Sequence, residues 1–237
     1  MDVALVEREL AESRQKAQAL ILAGKVTVNG QKFDKPGRPV LETDVIQLEQ
    51  PLRYVSRGGL KLAAALDHFQ VNVAGRVCLD VGTSTGGFTD CLLQHGACRV
   101  HAVDTGAGQI AWKLRSDPRV VLHERTNARY LTLEEIGEAV EVITCDVSFI
   151  SVTLLIPALA PLLVPSGDWI ILVKPQFEAG RELVGKGGIV RDTAVQKAAC
   201  EKVAKMLVEA AFQIEVMESP IFGAEGNREF LLHAFGR

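Results

Sequence analysis

Four charged residues in this chain stand at the ends of apolar runs, where a charge is costly unless it does chemistry. Asp80 lies in R-V-C-L-D-V, Asp104 ends R-V-H-A-V-D, Asp146 follows V-I-T-C, and Lys174 follows I-I-L-V. Each run reads as a strand buried in a parallel sheet. A charge at the carboxyl end of such a strand loses solvation unless it is paired or faces a crevice. Open α/β sheets bind ligands outside the carboxyl ends of their strands, so the four are expected to face one crevice. For Asp146 and Lys174 the alternative is an ion pair that only closes the sheet.

The turn after the first of these strands says more. From Asp80 the chain reads D-V-G-T-S-T-G-G-F before a helical pattern starts at Phe88. Glycines there let the backbone approach a ligand that a side chain would hold away. The dinucleotide fingerprint G-x-G-x-x-G is not met, because Ser84 stands where its second glycine belongs. The string D-x-G-x-x-x-G-G instead resembles the first motif of S-adenosylmethionine-dependent methyltransferases, whose loop wraps a methionine moiety rather than phosphates. That resemblance implies a cofactor site at Asp80, Gly82, Thr83, Ser84, Thr85, Gly86 and Gly87. Asp104, at the next strand end, can accept hydrogen bonds from both hydroxyls of a bound ribose. Asn127 reads either as a neighbour of the adenine or as a plain loop cap. A glycine turn with a capping Asp80 and no ligand is the alternative for the whole motif.

Composition bounds the protein around these residues. At 237 residues the chain suits one large or two modest domains. Hydrophobic residues make up 48% and charged residues 23%, the composition of a soluble globular protein. A net charge of −3 offers no global attraction to nucleic acid, so any such site must be a local patch. The five cysteines (Cys78, Cys91, Cys98, Cys145, Cys200) are odd in number and contain no C-x-x-C pair. They read as reduced thiols of a cytoplasmic protein rather than disulfides or a zinc site. The five histidines show no metal spacing, so no metal is expected. Charges at Asp2, Glu7, Arg8 and Glu9 argue against a signal peptide. Pro157, Pro161 and Pro165 keep the longest apolar runs below bilayer length, so no membrane partner is expected. Trp112 reads as a core residue rather than a base-stacking platform.

The first fifty residues carry their own pattern. A helix is expected over Val3 to Leu10, with part of its usual N-terminal lead missing before Met1. A second helix is capped by Ser13, carries Ala17, Leu20 and Ile21 on one face, and ends at Gly24. Val26 to Val28 reads as a strand, Asn29-Gly30 as a two-residue hairpin, Pro36-Gly37 as a turn, and Val45 to Leu48 as a last strand. Between Ser13 and Arg38 six basic residues (Arg14, Lys16, Lys25, Lys32, Lys35, Arg38) face one acid, Asp34. Such a cluster suits phosphate binding that is largely independent of sequence and sensitive to salt; a solvated surface explains any single lysine as well. The string S-R-x-x-A-x-x-L-I-x-x-G-x-V-x-V-N-G resembles the S4 RNA-binding module over about Met1 to Glu49.

A linker is expected at 50–56, where Pro51 interrupts regular structure, dividing 1–49 from 57–237. Arg53, Arg57 and Lys61 continue the basic stripe toward the crevice. A helix then runs through Ala63, Leu66 and Phe69. Strands are expected at Arg76 to Val81, Arg99 to Val103, Val120 to His123, Val140 to Cys145 and Trp169 to Val173. A long helix, Thr193 to Ala211, precedes two closing strands, Phe212 to Glu218 and Glu229 to Phe235. The closing pair leaves little room for a crossover, so the last strand is expected to be antiparallel. Phe177 to Asp192, with four glycines and the charges Glu178, Arg181, Glu182, Lys186 and Arg191, reads as a mobile loop over the substrate side.

The segments Y-V-S-R-G-G-L-K-L, D-V-G-T-S-T-G-G-F-T-D, C-D-V-S-F-I-S, V-K-P-Q-F-E and G-N-R-E-F occur in order along the chain. Together they resemble the TlyA/hemolysin A family, S4-containing FtsJ-like ribosomal RNA 2′-O-methyltransferases that act on cytidines. The resemblance implies an α/β, Rossmann-like class I S-adenosylmethionine-dependent methyltransferase. It would have a seven-stranded sheet with an antiparallel last strand, preceded by a small α+β S4 domain. It also implies a catalytic tetrad of Lys61, Asp146, Lys174 and Glu229, S-adenosylmethionine as cofactor, and ribosomal RNA or a ribosomal subunit as partner. RNA contacts are expected from Arg14, Lys16, Lys25, Lys32, Lys35, Arg53 and Arg57. A ribose hydroxyl is a poor nucleophile, and a lysine serves as its base only when burial or a neighbouring cation makes the neutral amine accessible. Lys174 is the candidate base, with Lys61 beside it, while Asp146 and Glu229 orient the amines. Three rivals remain: a nicotinamide-dependent oxidoreductase, a non-catalytic RNA-binding or ribosome-assembly factor, and a hemolysin as the family name suggests.

Overall fold

Residues 1–49, 52–223 and 226–236 are described by the computed structural model. They form two compact units, Met1–Leu52 and Arg53–Arg237. In the first, α1 (Asp2–Glu7) and α2 (Arg14–Leu22) precede β1 (Val26–Val28), β2 (Gln31–Phe33) and β3 (Ile46–Leu48). The strands pair antiparallel in the order β2-β1-β3. Ser13 caps α2 by accepting from the Lys16 N–H at 3.2 Å, which satisfies a donor the first turn leaves free. Asn29 (φ +52) and Gly30 (φ +79) both adopt the left-handed conformation that a two-residue hairpin demands. The first helix stops short of the expected Leu10. Glu9 turns left-handed at φ +58, and the N–H groups of Leu10 and Ala11 fold back onto the Leu5 carbonyl. Leu5, Ala17, Ile21, Val26 and Phe33 close a small core.

The second unit opens with α3 (Gly58–His68), β4 (Val77–Val81) and α4 (Gly87–Gln94). It continues through β5 (Arg99–Val103), α5 (Trp112–Arg115), β6 (Val120–His123), α6 (Leu133–Ile136), β7 (Val140–Cys145), α7 (Ile156–Leu159) and β8 (Leu163–Val173). The chain ends with α8 (Pro175–Glu178), α9 (Thr193–Glu209), β9 (Gln213–Glu218) and β10 (Phe230–Phe235). The sheet has seven strands in the order β6-β5-β4-β7-β8-β10-β9. The first five are mutually parallel, and β10 runs antiparallel to both neighbours. Alternate side chains of β8 divide between two cores: Trp169, Ile171 and Val173 pack in the core that contains Val203 and Leu207 of α9, and Ile170 and Leu172 in the core that contains Leu62 and Phe88. Strands covered on both faces have no polar alternation, which is why they read as plain apolar runs.

Several expectations need correction. β8 begins at Leu163 rather than Trp169, because a register shift between Val140 and Val142 absorbs the Pro165 interruption. Of the expected linker, Gln50 and Pro51 lie outside the described residues, whereas Tyr54 is 1% exposed and packs in the second unit's core. A Cβ on Gly59 would collide with the Tyr54 ring, so that glycine admits the contact. Trp112 is 77% exposed, not core. The stretch read as a mobile loop begins with the last two residues of α8 and holds two 3-10 turns, at Arg181–Leu183 and Lys186–Gly188. Asn227, of the G-N-R-E-F segment, pins it by accepting from the Val190 N–H at 3.0 Å and donating to the Gly188 carbonyl at 2.9 Å.

Candidate active site

The turn that leaves β4 is built from left-handed residues: Gly82 (φ +85), Ser84 (φ +49) and Gly86 (φ +96). A Cβ at Gly82 would strike the Asp146 carbonyl, one at Gly86 the Leu114 side chain, and one at Gly87 the Ser56 hydroxyl. The glycines therefore let the turn nest among its protein neighbours as well as approach a ligand. Thr83 Oγ1 donates to the Asp80 carbonyl at 3.1 Å and fastens the turn to the strand below it.

Two hollows share this turn. The first, about 360 Å³, is lined by Gly82, Ser84, Asp104, Gln109, Asn127 and Asp146, among others. Asp104 accepts from the N–H groups of Ser84 and Gly106, both at 2.7 Å. Asn127 caps a 3-10 turn by accepting from the Arg129 N–H at 3.1 Å while also lining the hollow, so its two readings coexist. The second hollow, about 420 Å³, is lined by Arg57, Lys61, Thr83, Ser84, Thr85, Gly87, Asp146 and Lys174, among others.

Asp80 departs from expectation. It is fully buried and lines neither hollow. Its carboxylate accepts from Thr89 Oγ1 at 2.6 Å and Thr144 Oγ1 at 3.0 Å. Burial, opposed by those two hydroxyls, pushes its pKa up to about 6. Strand alternation explains the placement, since Leu79 and Val81 occupy the opposite face with the core that meets α9. Asp80 thus shapes the turn from behind.

The four tetrad positions form two ion pairs. Lys61, 8% exposed on α3, pairs with Glu229, 3% exposed just before β10. Lys174, immediately after β8, places Nζ 2.6 Å from Asp146 Oδ1, next to the end of β7. That contact is a charge pair without hydrogen-bond alignment; Lys174 donates its hydrogen bond to Ser148 Oγ at 2.8 Å. Lys61, Asp146 and Lys174 line the same hollow, so both amines stand on one side of the sheet.

Residues 54–235 match the FtsJ-like methyltransferase family, and residues 2–46 match the S4 domain. The chain belongs to the FtsJ-like methyltransferase family. Among its relatives is the 16S/23S rRNA (cytidine-2′-O)-methyltransferase TlyA of Mycobacterium tuberculosis. It is 46% identical over 235 residues, covering 98% of this chain and 88% of that one. Hemolysin A of Brachyspira hyodysenteriae is 45% identical over 224 residues, covering 94% and 93%. An S-adenosylmethionine-dependent methyltransferase structure from Mesorhizobium loti, 17% identical, shares the fold at a TM-score of 0.51 over 73% of this chain and 96% of that one. The class I methyltransferase fold and the S4 module expected from the motifs are therefore both present.

In this FtsJ-like methyltransferase the basic cluster is less one-sided than its window suggested. Arg14 pairs with Asp2 at 3.0 Å, Lys16 with Glu12 at 2.7 Å and Lys25 with Glu49 at 2.9 Å, using acids that lie outside the Ser13–Arg38 stretch. The Lys16 and Lys25 pairs are exposed, worth little, and can yield to phosphate. Asp2, by contrast, is buried and also accepts from Gln18, which ties Arg14 down. Lys32 and Lys35 are exposed. Arg53 lies 5.2 Å over the Tyr54 ring, and Arg57 lines the second hollow. Sequence reasoning missed Gln109, Ser148 and Phe149. Ser148 and Phe149 sit in the C-D-V-S-F-I-S segment, and the polar–aromatic pair after Asp146 was the available signal. Among the histidines, His101 meets His123 at 3.1 Å and Glu138 at 3.0 Å, and His233 meets Asp168 at 2.8 Å. Among the described residues no group of side chains could hold a metal, and no helix is long and apolar enough to cross a membrane.

Proposed function

We propose that this protein transfers a methyl group from S-adenosylmethionine to the 2′-hydroxyl of a cytidine ribose in ribosomal RNA. In this reading the S4 module of residues 1–49 holds the folded RNA, the partner is a ribosomal subunit, and the work is done in the cytoplasm. The observation that carries it is the convergence of Lys61, Asp146 and Lys174 on a hollow that shares Gly82, Ser84, Asp146 and Ser148 with the neighbouring hollow of Asp104 and Asn127.

The residues present fit the donor. The first hollow has the volume for a nucleoside, the Asp104 carboxylate for a ribose diol, and Asn127 with Gly82 and Ser84 of the turn in its lining. When bound, the sulfonium supplies an electrophilic methyl group that needs no metal. Lys174 receives the hydroxyl proton after releasing its own to solvent, while Asp146 and Ser148 hold its amine toward the second hollow. Lys61, held from behind by Glu229, binds the ribose or steadies charge near the nucleophile. Holding the reactants in line contributes the remainder through proximity.

Tritiated methyl transfer onto isolated ribosomal subunits, followed by mapping of the modified ribose, tests the reaction. Lys174→Ala is expected to abolish transfer while leaving S-adenosylmethionine binding by calorimetry nearly intact. Normal turnover in that variant removes Lys174 from the mechanism.

A further inference from the structure

We propose that Glu178 is a positioning residue for methyl transfer, clamping the loop that follows Asp146 to the short helix that follows Lys174. The proposal rests on reading Asp146 and Lys174 as catalytic residues. Glu178 is only 6% exposed, although glycines and charges surround it in sequence. Its Oε1 accepts from the Val152 N–H at 2.7 Å, and its Oε2 accepts from the Ser151 hydroxyl. Ser151 Oγ also meets Thr153 Oγ1 at 2.6 Å. From α9, Lys202 donates to the Glu178 carbonyl at 2.9 Å and sets Nζ 3.7 Å from the carboxylate. Both carboxylate oxygens are used and a cation stands nearby, the conditions under which a buried carboxylate is tolerated.

The clamp acts at both ends of the site. Between Asp146 and Ser151 the loop passes through Phe149, whose φ of +66 is strained for a side-chain-bearing residue. Such a conformation persists only where the surroundings over-determine it. Glu178 supplies that at the far end of the loop, and the Phe177 ring, 5.2 Å from the Phe149 ring, supplies it in the middle. The near end of the loop presents Ser148 Oγ to Lys174 Nζ. Lys174 caps α8 and Glu178 is its last residue, so one turn of helix carries the amine at one end and the clamp at the other. A displacement of about 1 Å between such groups costs up to about 10²-fold in rate.

The test uses the full chain, tritiated methyl transfer onto ribosomal subunits, calorimetry with S-adenosylmethionine, and thermal melting. Glu178→Ala is expected to lower kcat at least about tenfold, with KM for the subunit and Kd for the cofactor unchanged. Glu178→Gln keeps an acceptor for the Val152 N–H and is expected to recover most of the rate. Combined with Ser148→Ala, the Glu178→Ala loss is expected to be non-additive, because both act on the same amine. Full kcat in the Ala variant overturns the proposal. So does a parallel loss of cofactor affinity, a rate loss that follows only the unfolded fraction, or independent multiplication with Ser148→Ala. Normal turnover by Lys174→Ala overturns the catalytic reading and the positioning role with it. Full kcat in Glu178→Ala beside an inactive Lys174→Ala overturns the positioning role alone, so the two failures are distinguishable.

Discussion

Two lysine–carboxylate pairs meet at one hollow and are built on different principles. Lys61–Glu229 joins a helix to the antiparallel end of the sheet, with side chains 10% and 3% exposed. Lys174–Asp146 joins two adjacent parallel strand ends, and its carboxylate is 23% exposed. The two amines are about equally covered, with side chains 10% and 11% exposed, so the difference lies in the carboxylates. Glu229 is sealed behind Lys61, and losing either partner of that pair leaves a largely buried charge. The second pair opens to the hollow, and its amine already shares itself between Asp146 and Ser148. A proton acceptor must exchange partners during a reaction, so the looser pair suits chemistry and the tighter one suits support.

The sharpest way to break that distinction is to truncate each lysine–carboxylate pair and compare rate with stability. Lys174→Ala is expected to lose methyl transfer by about 10³-fold or more, with a small change in melting temperature, in line with removal of a general base. Glu229→Ala is expected to cost stability, about 3 kcal/mol by denaturant titration, because Lys61 is left buried without its partner. If the losses trade places, with Lys174→Ala unfolding the protein and Glu229→Ala only slowing it, the comparison is reversed.

A third measurement concerns the aspartate behind the turn. The Asp80 pKa is raised from the usual 3.8 to about 6, so the folded state binds its proton more tightly than the unfolded state does. The folded state gains stability where it alone is protonated. This contribution is therefore fully present below about pH 4 and is lost as pH rises through about 6, an effect of up to about 3 kcal/mol. The difference in stability between wild type and Asp80→Asn, followed from pH 4 to pH 7, is expected to show that slope. Its absence would mean that the hydrogen bonds Asp80 accepts from Thr89 and Thr144 offset its burial in full.

Smaller effects separate the wall of the first hollow from its supports. Asp104→Ala is expected to weaken S-adenosylmethionine binding by about tenfold, the worth of charge-assisted hydrogen bonds to a ribose. Replacing Lys32 and Lys35 by alanine is expected to lower RNA affinity modestly and to reduce the salt dependence, by about one unit of slope for each phosphate that a lysine had neutralised. Lys16 is already paired with Glu12, so Lys16→Ala is expected to move affinity least.

Much of the architecture was legible because it is local. Apolar runs of the right length marked the strands, and β5, β6 and β7 fall where those runs fall. Ser13, Gly24 and Asn29-Gly30 announced a helix start, a helix end and a hairpin by backbone rules that need no distant partner. The misreadings share one cause. Asp80, Trp112 and Glu178 were judged by their sequence neighbours, yet their burial depends on which face of a strand or helix meets which layer. Asp80 turns toward Thr89 and Thr144, Trp112 toward solvent, and Glu178 into the space beneath Val152.

Residue type and order along the chain marked the glycine turn, and the resemblance of five short segments to a known family pointed to Lys61, Asp146, Lys174 and Glu229. Which lysine meets which carboxylate was not written there. That partition depends on β10 returning antiparallel beside β8, which brings Glu229 to Lys61 and leaves Asp146 for Lys174. A pairing across 168 residues of chain arises only when the sheet is assembled, because packing, not proximity in sequence, selects the partner of a buried charge.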